Sequence, residues 1–373
     1  MALLSQQNSK ISIENDIDNI YLNIVMTPPP LSTDEIVATY DQHLTRPVLD
    51  DCSKYYCSII RFTIPLDNIP ILIFPIDTTQ TNALLSPLII GINYLDVNYP
   101  ENVAYQPVNS RGPPTPNASP PYFTNGQLTD YFYWIYSITS VINMFNTALM
   151  DAVTAAGLAP DLSPMFSFDP VTELISLIVP ANFLVTGATI YFNSLMQTFL
   201  SSFNLYYMGN GNPQGRDYDM VLNPLPPDSP VGGPYTFTED YVSINLWFTL
   251  RKILITSNTI PIFPEYNPAQ NPNLFGANTG INSSIPILTD FVPQLETSIS
   301  PRSIAYYTPT SQYRLVDMIS NTPLRRINLS ILWEDKMGNV FPLQISNYQE
   351  ASIKLAFLNK SLYKNANLSL AKK

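Results

Sequence analysis

Apolar and polar residues alternate in several short segments of the chain, and the clearest of these segments lies near the C-terminus. Its apolar positions alternate with polar ones: Ile327, Leu329, Ile331 and Trp333 against Arg326, Asn328 and Ser330. Leu332 departs from the pattern. Side chains of a strand point to opposite faces in turn, so the segment predicts a half-buried strand. Turn residues at 336–339 and a second apolar series, Phe341, Leu343 and Ile345, extend the prediction to a hairpin.

The same alternation predicts strands elsewhere in the chain. Residues Ile353, Leu355 and Phe357 predict a third strand in the same sheet as the hairpin. Further alternating segments are Ile20–Met26, Ile60–Ile64 and Val242–Leu250. Less regular apolar runs predict additional strands at Ile69–Ile76, Pro87–Leu95, Arg251–Thr256 and Tyr313–Ser320. Proline clusters lie between these runs, where a missing amide hydrogen removes no ladder bond. The segments suffice for the eight strands of a jelly roll, and we predict an all-β fold.

The middle third of the chain has a different pattern. Two segments have helical spacing, Asp130–Ala156 and Tyr191–Phe203, and a strand-like stretch with a turn at Asp169-Pro170 covers Met165–Val179. We therefore predict a discontinuous jelly-roll domain from residues 1–95 and 236–373, interrupted by a mixed β/α domain at 96–235. No fixed-period repeat is visible, which disfavours propellers and solenoids.

One uncharged stretch, Tyr131–Met150, is long enough to span a bilayer. Six of its residues are Ser, Thr or Asn, which makes the stretch too polar for lipid. Its apolar residues recur at helical spacing: Ile135, Ile138, Ile142, Phe145 and Leu149. The pattern predicts a buried helix and no membrane span.

The composition supports a β-rich subunit with covered faces. Hydrophobic residues make up 45% of the chain and charged residues only 13%, about half the usual share for a soluble domain. The 35 prolines and 23 tyrosines disfavour a helical bundle, because proline breaks helix interiors and tyrosine fits a pleated surface. Such a charge-poor chain is typical of a subunit that packs against neighbours.

Charge is unevenly distributed along the chain. Residues 1–250 hold 6 basic and 22 acidic residues, a net charge of −16, whereas residues 251–373 hold 12 and 7, a net charge of +5. From residue 351 onward there are five lysines and no acid: Lys354, Lys360, Lys364, Lys372 and Lys373. These lysines indicate a mildly basic tail, which either aids solubility or makes weak, salt-sensitive contacts with nucleic acid.

Groups that carry chemistry are scarce. The two cysteines, Cys52 and Cys57, build no disulfide framework, and with His43 as the single histidine they fall short of a zinc site. No signal peptide pattern occupies Met1–Ser9, so we expect synthesis in the reducing cytoplasm. Nucleophilic catalysis usually needs a general base beside the nucleophile, and His43 is the single histidine that could serve. We expect no metal ion and no cofactor.

Three pairs of carboxylates are the remaining candidates for catalysis: Asp217 with Asp219, Glu239 with Asp240, and Glu334 with Asp335. A glycosidase would need one acid and one nucleophile or base on either side of the scissile bond. All three pairs lie at predicted strand ends or turns, where acidic residues serve the backbone. We therefore predict that the protein is not an enzyme.

Several motifs resemble shell proteins of virophages and polinton-like viruses. They are the segment from Trp247 to Ile262 with Ile287–Pro293, and three stretches in the closing part of the chain: Tyr313–Asp317, Ser320–Ile327 and Trp333–Leu343. The chain resembles the five-fold vertex (penton) proteins of Sputnik-like virophages. The likeness covers the C-terminal third of the chain through its motifs and the rest through length and composition.

This resemblance implies a structural protein of an icosahedral virion. It implies a single jelly roll with an inserted outer domain, five copies of which close each capsid vertex against hexon-like, double-jelly-roll capsomers of the major capsid protein. The acidic part of the chain would then face outward, and the basic C-terminal part would face the packaged DNA.

The residues of the subunit contact are not evident from the sequence. We expect loop aromatics to act as interface anchors, namely Tyr122, Phe123, Tyr235 and Phe237, with ordinary packing beneath a loop as the alternative. A second interpretation of the whole chain is a viral receptor- or glycan-binding β-domain. Aromatics over a shallow groove would favour that interpretation.

Overall fold

The computed structural model describes most of the chain and divides it into two compact units. The described residues are 10–16, 19–28, 36–66, 69–75, 85–106, 132–209, 211–226, 232–263, 265–266, 284–293, 304–307, 314–336, 340–346 and 349–362. The first unit comprises residues 1–69 and 250–373, and the second comprises residues 70–249. The second unit is thus an insertion in the first.

The chain forms twenty-five described strands and four described α-helices. It enters the first unit with β1 (Lys10–Asp16), β2 (Asn19–Met26), β3 (Ile36–Val37), β4 (Thr39–His43) and β5 (Tyr55–Pro65). The second unit follows with β6 (Leu72–Pro75), β7 (Leu85–Tyr94), β8 (Val97–Ala104), β9 (Phe132–Ile135), α1 (Ile138–Ala155), β10 (Met165–Phe168), β11 (Ile175–Val179), α2 (Ala181–Val185), β12 (Thr189–Phe192), α3 (Ser194–Gln197), β13 (Leu205–Tyr207), β14 (Tyr218–Met220), β15 (Tyr235–Thr238) and α4 (Ile244–Trp247). The chain returns to the first unit with β16 (Leu250–Thr256), β17 (Glu265–Tyr266), β18 (Ser284–Ile285), β19 (Ile287–Phe291), β20 (Ile304–Tyr307), β21 (Val316–Asp317), β22 (Arg326–Asp335), β23 (Val340–Pro342), β24 (Gln344–Ile345) and β25 (Ala351–Asn359).

Eight strands of the first unit form two antiparallel sheets in jelly-roll order. In chain order they are β2, β4, β5, β16, β19, β20, β22 and β25. One sheet has the order β2-β25-β5-β20, that is, first, eighth, third and sixth. In the other sheet the neighbours are β4-β22-β16-β19, that is, second, seventh, fourth and fifth. This is the double Greek key of a jelly roll, and the second unit is inserted between its third and fourth strands.

The core of the first unit lies between the inner faces of these two sheets. The predicted apolar face of β22 is fully buried, since Ile327, Leu329 and Ile331 are each 0% exposed. Phe62 of β5 meets Phe291 of β19 with ring centroids 4.2 Å apart, which joins one sheet to the other. Each buried side chain of this size contributes roughly 1.5–3 kcal/mol relative to exposure. The hydrophobic alternation therefore holds the two layers together.

The predicted C-terminal hairpin is confirmed. Strands β22 and β23 pair antiparallel with Trp333 opposite Phe341, and these two rings stack with centroids 4.1 Å apart. The predicted third strand, β25, exists, but it belongs to the other sheet, between β2 and β5. Proximity in sequence predicted the wrong neighbour, because in a jelly roll successive strands cross between the sheets.

In its described residues, the second unit combines three sheets with one long helix. Its largest sheet has the order β13-β14-β12-β7-β8, and β10-β11-β15 and β6-β9 form the other two. The predicted turn at Asp169-Pro170 is confirmed, because β10 and β11 pair around it as a hairpin. The predicted strand Val242–Leu250 is wrong: this segment includes the short helix α4, and strand structure resumes only at Leu250.

The helix predicted over Asp130–Ala156 is confirmed only for Ile138–Ala155, which is α1, because Phe132–Ile135 is strand β9. Ile138, Ile142, Phe145 and Leu149 are at most 7% exposed, and Phe145 packs edge-on against Phe166, Phe199 and Trp247. Gly157, with φ of +72°, ends the helix, and Leu158 N–H closes it by donating to Val153 O. None of the described helices is long and apolar enough to cross a bilayer. The helical prediction over 191–203 holds only in part, since Thr189–Phe192 is strand β12 and α3 covers Ser194–Gln197.

The two compact units divide at residues 69/70 and 249/250, whereas the sequence analysis set the inserted domain at 96–235. The difference covers β6, β7, most of β15 and α4, and the longest of these elements, β7, pairs with β8 and β12 of the second unit. The alternation of β7 is typical of any half-buried strand. The pattern alone therefore does not indicate to which sheet a strand belongs.

Gly91 lies where β7 pairs with β12, and the Tyr191 ring leaves no space for a side chain there. A Cβ at Gly91 would lie 2.3 Å from Cζ of Tyr191, the residue directly opposite in the ladder. We expect Gly91→Ala to lower the free energy of unfolding of the second unit by about 1–3 kcal/mol, because the fully buried Tyr191 ring must move. Urea denaturation would measure this change. Tyr191→Leu should relieve most of the cost in the double variant, and simple additivity of the two substitutions would contradict the proposed clash.

Candidate functional site

None of the three predicted carboxylate pairs faces an open cleft as two available acids. Asp217 accepts hydrogen bonds at Oδ2 from the backbone N–H and the hydroxyl of Ser194, at 2.8 and 2.7 Å. Asp219 forms a bidentate ion pair with Arg216. Asp217 and Asp219 are both buried. The guanidinium of Arg216 also lies 6.0 Å from the Tyr191 ring centroid, and the ion pair raises the arginine pKa. These carboxylates organise the loop before β14.

Glu239 is held by backbone and hydroxyl donors. Its Oε1 accepts from the N–H groups of Ile175 and Ser243, and its Oε2 accepts from the hydroxyls of Ser202 and Ser243 at 2.8 and 2.6 Å. The side chain is 3% exposed, while the neighbouring Asp240 is exposed. Glu239 therefore ties three chain segments together and has no lone pair aimed at solvent.

Glu334 is the buried centre of an ion-pair network in the first unit. Its side chain is 2% exposed, and its two oxygens lie 3.0 Å from Arg251 Nη1 and 3.3 Å from Lys252 Nζ. Lys252 continues to Asp290 at 3.7 Å, and Arg314 contacts the same aspartate at 2.6 Å. The network connects β22, β16 and β19 and neutralises the buried carboxylate. The network is structural, because Glu334 lies near the end of β22 and joins it to side chains of β16.

The remaining candidates for chemistry are dispersed. His43 is exposed at the end of β4, and Cys52 and Cys57 are buried free thiols whose pKa is raised by burial. Asp41 on the same strand is held by Arg326, which lowers the carboxyl pKa. Among the described residues, no group of three or more His, Cys, Asp and Glu side chains could hold a metal ion.

The proposed basic tail is shorter than the sequence analysis indicated. Lys354 lies within β25, with its ammonium 5.3 Å from the ring centroid of Tyr21. Lys360 donates to the carbonyls of Ser53 and Met318 at 2.7 and 3.2 Å and pairs with Asp317. Both lysines therefore belong to the folded jelly roll. Lys364, Lys372 and Lys373 lie outside the described residues.

The predicted interface aromatics have different outcomes. Tyr122 and Phe123 lie outside the described residues. Tyr235 and Phe237 are half-buried on β15, opposite Val179 and Leu177 of β11. Since Val179 and Leu177 are fully buried, the two aromatic side chains share the inward face of their small sheet. Their role as interface anchors remains a prediction, and ordinary packing beneath the sheet accounts for their position equally well.

The structure reveals two exposed features that the sequence analysis missed. The first is a run of three apolar side chains on β13 and just after it: Tyr206, Tyr207 and Met208 are 65%, 59% and 47% exposed. The second is a cleft of about 400 Å³ whose lining includes Gln197, Phe199, Ser201, Leu246 and Trp247. The sequence feature that could have indicated them is the segment 174–215, which holds no charged residue and includes the Tyr206-Tyr207 doublet.

The net charge belongs entirely to the second unit. Residues 70–249 hold 2 basic and 13 acidic residues, a net charge of −11, whereas the first unit holds 16 of each and is neutral. Burial and the nearby Asp151 raise the pKa of Glu101 on β8. The second unit thus carries the excess of acidic residues, and its long uncharged segment is an exception within it.

Taken together, the two sheets and the inserted unit define a single-jelly-roll protein with one large insertion, an architecture found in viral capsid and lectin domains. The chain belongs to the family of the Sputnik minor capsid protein V18/19, whose family model matches residues 20–359. It is therefore a structural capsid protein of the virion and not an enzyme.

Similar proteins agree with this assignment. The structural protein V19 of Sputnik virophage is 30% identical over 212 residues, which cover 53% of this chain and 95% of V19. The uncharacterized protein V18 of the same virus is 33% identical over 141 residues, 36% of this chain and 82% of V18. A chain in the cryo-EM structure of Sputnik virophage at 3.5 Å resolution superposes with a TM-score of 0.76 at 27% identity, covering 93% of this chain and 99% of that one.

A second solved structure shares the fold at lower sequence identity. The crystal structure of the mavirus penton protein superposes with a TM-score of 0.64 at 16% identity and covers 91% of this chain and 99% of that one. The likeness extends over both units and includes the jelly roll. The predicted all-β, jelly-roll fold class is therefore confirmed.

Proposed function

We propose that this protein is the penton subunit of an icosahedral capsid, five copies of which form a ring at each five-fold vertex. The ring packs against hexon-like, double-jelly-roll capsomers of the major capsid protein. The subunit is made in the host cytoplasm, in keeping with its two free, buried thiols. The observation that carries the proposal is the single jelly roll with one insertion between its third and fourth strands, in a chain of a minor capsid family.

Two further features support a vertex position. The mavirus protein with the same fold bears the name penton, and its chain is covered almost completely. The division of charge also fits a shell, because the neutral jelly roll can pack against sister subunits without long-range repulsion. We propose that the acidic second unit faces outward, where its repulsion costs least.

Contact with packaged DNA is a weaker part of the proposal. Since Lys354 and Lys360 are engaged within the jelly roll, only Lys364, Lys372 and Lys373 remain for a phosphate-binding tail. Three lysines neutralise few phosphates, and each phosphate neutralised adds about 0.9 to the salt slope of the binding constant. The tail would therefore bind DNA weakly and lose the contact at moderate salt.

The ring can be tested on the purified chain. Mass photometry and negative-stain imaging should show a closed ring with five times the 41.8 kDa mass of one copy. Icosahedral reconstruction of the particle should then place that ring at the vertices. A protein that stays monomeric or trimeric, in isolation and with the major capsid protein, would overturn the proposal. A monomer or trimer that bound glycans would instead favour a receptor- or glycan-binding domain, which stays a prediction.

A further inference from the structure

We propose that part of the contact between subunits lies in the second unit, where Tyr206 and Met208 of one copy dock into the Phe199–Trp247 cleft of the next copy. This inference rests on the proposed ring. The partner is thus a second copy of this chain, and the contact is head-to-tail. A ring closed by rotation requires this kind of contact, in which two different surfaces of each subunit meet.

The first surface is an open sheet edge. Met208 N–H donates to Asp217 O at 2.7 Å, and Val221 N–H donates to Asn204 O at 2.9 Å. Because antiparallel bonding alternates along a strand, the backbone groups of Leu205 and Tyr207 point away from β14. In the described part of the chain, β13 has no strand on that side. This edge contains neither a charged residue nor a proline.

The opposite edge of the same sheet is protected. Strand β8 pairs with β7 around a two-residue turn closed by Tyr94 and Val97, so the backbone of Pro100 faces outward. Proline offers no N–H for a further strand, and such residues blunt edges that must stay unpaired. Among the described residues, this sheet thus has one blunted edge and one open, aromatic edge, and the contrast indicates that β13 meets a partner.

The second surface is the cleft, and its lining suits an aromatic anchor. Trp247 donates its indole N–H to Phe199 O at 3.1 Å, and the two rings pack edge-on with centroids 5.5 Å apart. Phe199 also packs on Phe145 of the core, so this wall is fixed before binding. The volume of about 400 Å³ lies within the range of ligand-sized sites, about 300–1,000 Å³. Leu246, 56% exposed, offers further apolar surface at the cleft.

These two surfaces are favoured for the contact because they lie in an uncharged part of an acidic unit. Two copies of a unit with a net charge of −11 repel one another, so a contact between them favours uncharged areas. The edge at Tyr206 and the cleft residues Gln197, Phe199 and Ser201 all lie in the uncharged segment 174–215. Tyrosine anchors in desolvated pockets are also the side chains that dominate subunit contacts.

Charged substitutions on each surface test the contact on the full-length chain. Tyr206→Asp should disable the edge, Leu246→Asp should disable the cleft, and each variant alone should elute as monomer at concentrations where the wild type forms its ring. Val171→Asp is the matched control, since Val171 is also an exposed apolar residue of this unit, 85% exposed. Light scattering coupled to size exclusion measures the masses, and circular dichroism shows that each variant folds.

Mixing the two variants gives the decisive result. An equal mixture of Tyr206→Asp and Leu246→Asp retains one intact edge and one intact cleft per pair, so we expect a heterodimer with twice the 41.8 kDa mass of one copy, and no ring. A mixture that stays monomeric would overturn the head-to-tail assignment. Rings that persist in both single variants would overturn this inference and leave the penton proposal intact. A wild-type chain that forms no ring, either alone or with the major capsid protein, would overturn both.

Discussion

Replacing Glu239 with alanine should lower the free energy of unfolding of the second unit by about 3–5 kcal/mol, because it removes an acceptor of four hydrogen bonds. The N–H of Ile175 and the hydroxyl of Ser202 are then left buried without their partner. Each buried donor that loses its acceptor costs about 1–3 kcal/mol. Because Glu239 joins β11, the turn after α3 and the start of α4, hydrogen exchange at the Ile175 amide should accelerate in step with global destabilisation.

Two control variants separate this effect from a general loss of charge. Glu239→Gln keeps one carbonyl acceptor and should lose about half as much stability, because the serine hydroxyls can rotate to accept from the amide. Asp240→Asn alters an exposed neighbour and should change stability by less than about 0.5 kcal/mol. An alanine variant of Glu239 no less stable than Asp240→Asn would show that Glu239 is not the tie between these segments.

Phe62→Ala should have a comparable effect in the jelly roll. Phe62 is 1% exposed on β5, a central strand, and its ring meets Phe291 of the opposite sheet. Truncation of a buried phenylalanine to alanine costs about 3–5 kcal/mol, because the lost transfer free energy adds to that of the cavity. Urea denaturation followed by the fluorescence of Trp333, which is buried in the other sheet, would report this loss.

The adjacent residue provides the control for Phe62. Arg61 lies on the same strand with its side chain exposed on the opposite face, so Arg61→Ala should leave the midpoint nearly unchanged. Phe62→Leu should fall between the two variants. Equal effects of Arg61→Ala and Phe62→Ala would contradict the assignment of the inner face of β5.

The two units differ in their charge and in the surfaces that they bury. The jelly roll carries balanced charge and two extensive inner faces, so its stability comes from burial between its sheets. The inserted unit carries the net charge and, among the described residues, the open β13 edge. In the proposed assembly, the neutral jelly roll would pack closely in the shell, and the acidic insertion would restrict its own contacts to uncharged areas.

Local patterns predicted much of the fold. The alternation in β22 and β25, the hairpin to β23 and the buried face of α1 follow from period-two and helical spacing, which depend only on backbone geometry. The segment Val242–Leu250 shows the limit of this reasoning. Its alternation of apolar and polar residues is that of a strand. However, Glu239 accepts hydrogen bonds from the N–H and the hydroxyl of Ser243, and a short helix begins at the next residue.

The candidate sites were harder to predict. The pairing of Asp219 with Arg216 is local, three residues apart, and fits a structural role that sequence alone suggested. In contrast, the carboxylate of Glu334 reaches Arg251 across 83 positions of chain, and only the pairing of β16 with β22 brings them together. Lys360 was assigned to a tail for the same reason, since its partners Ser53 and Met318 are distant in sequence.

The sequence by itself determined an all-β chain with one long buried helix, few reactive groups and a shortage of charge, because side-chain periodicity and composition act locally. Only the tertiary structure decided which strands are neighbours, where the insertion begins and ends, and which aromatics remain exposed at an open edge. Those features depend on contacts between residues far apart in the chain. Such contacts form only once two sheets bury a common core, and no local pattern specifies the partner.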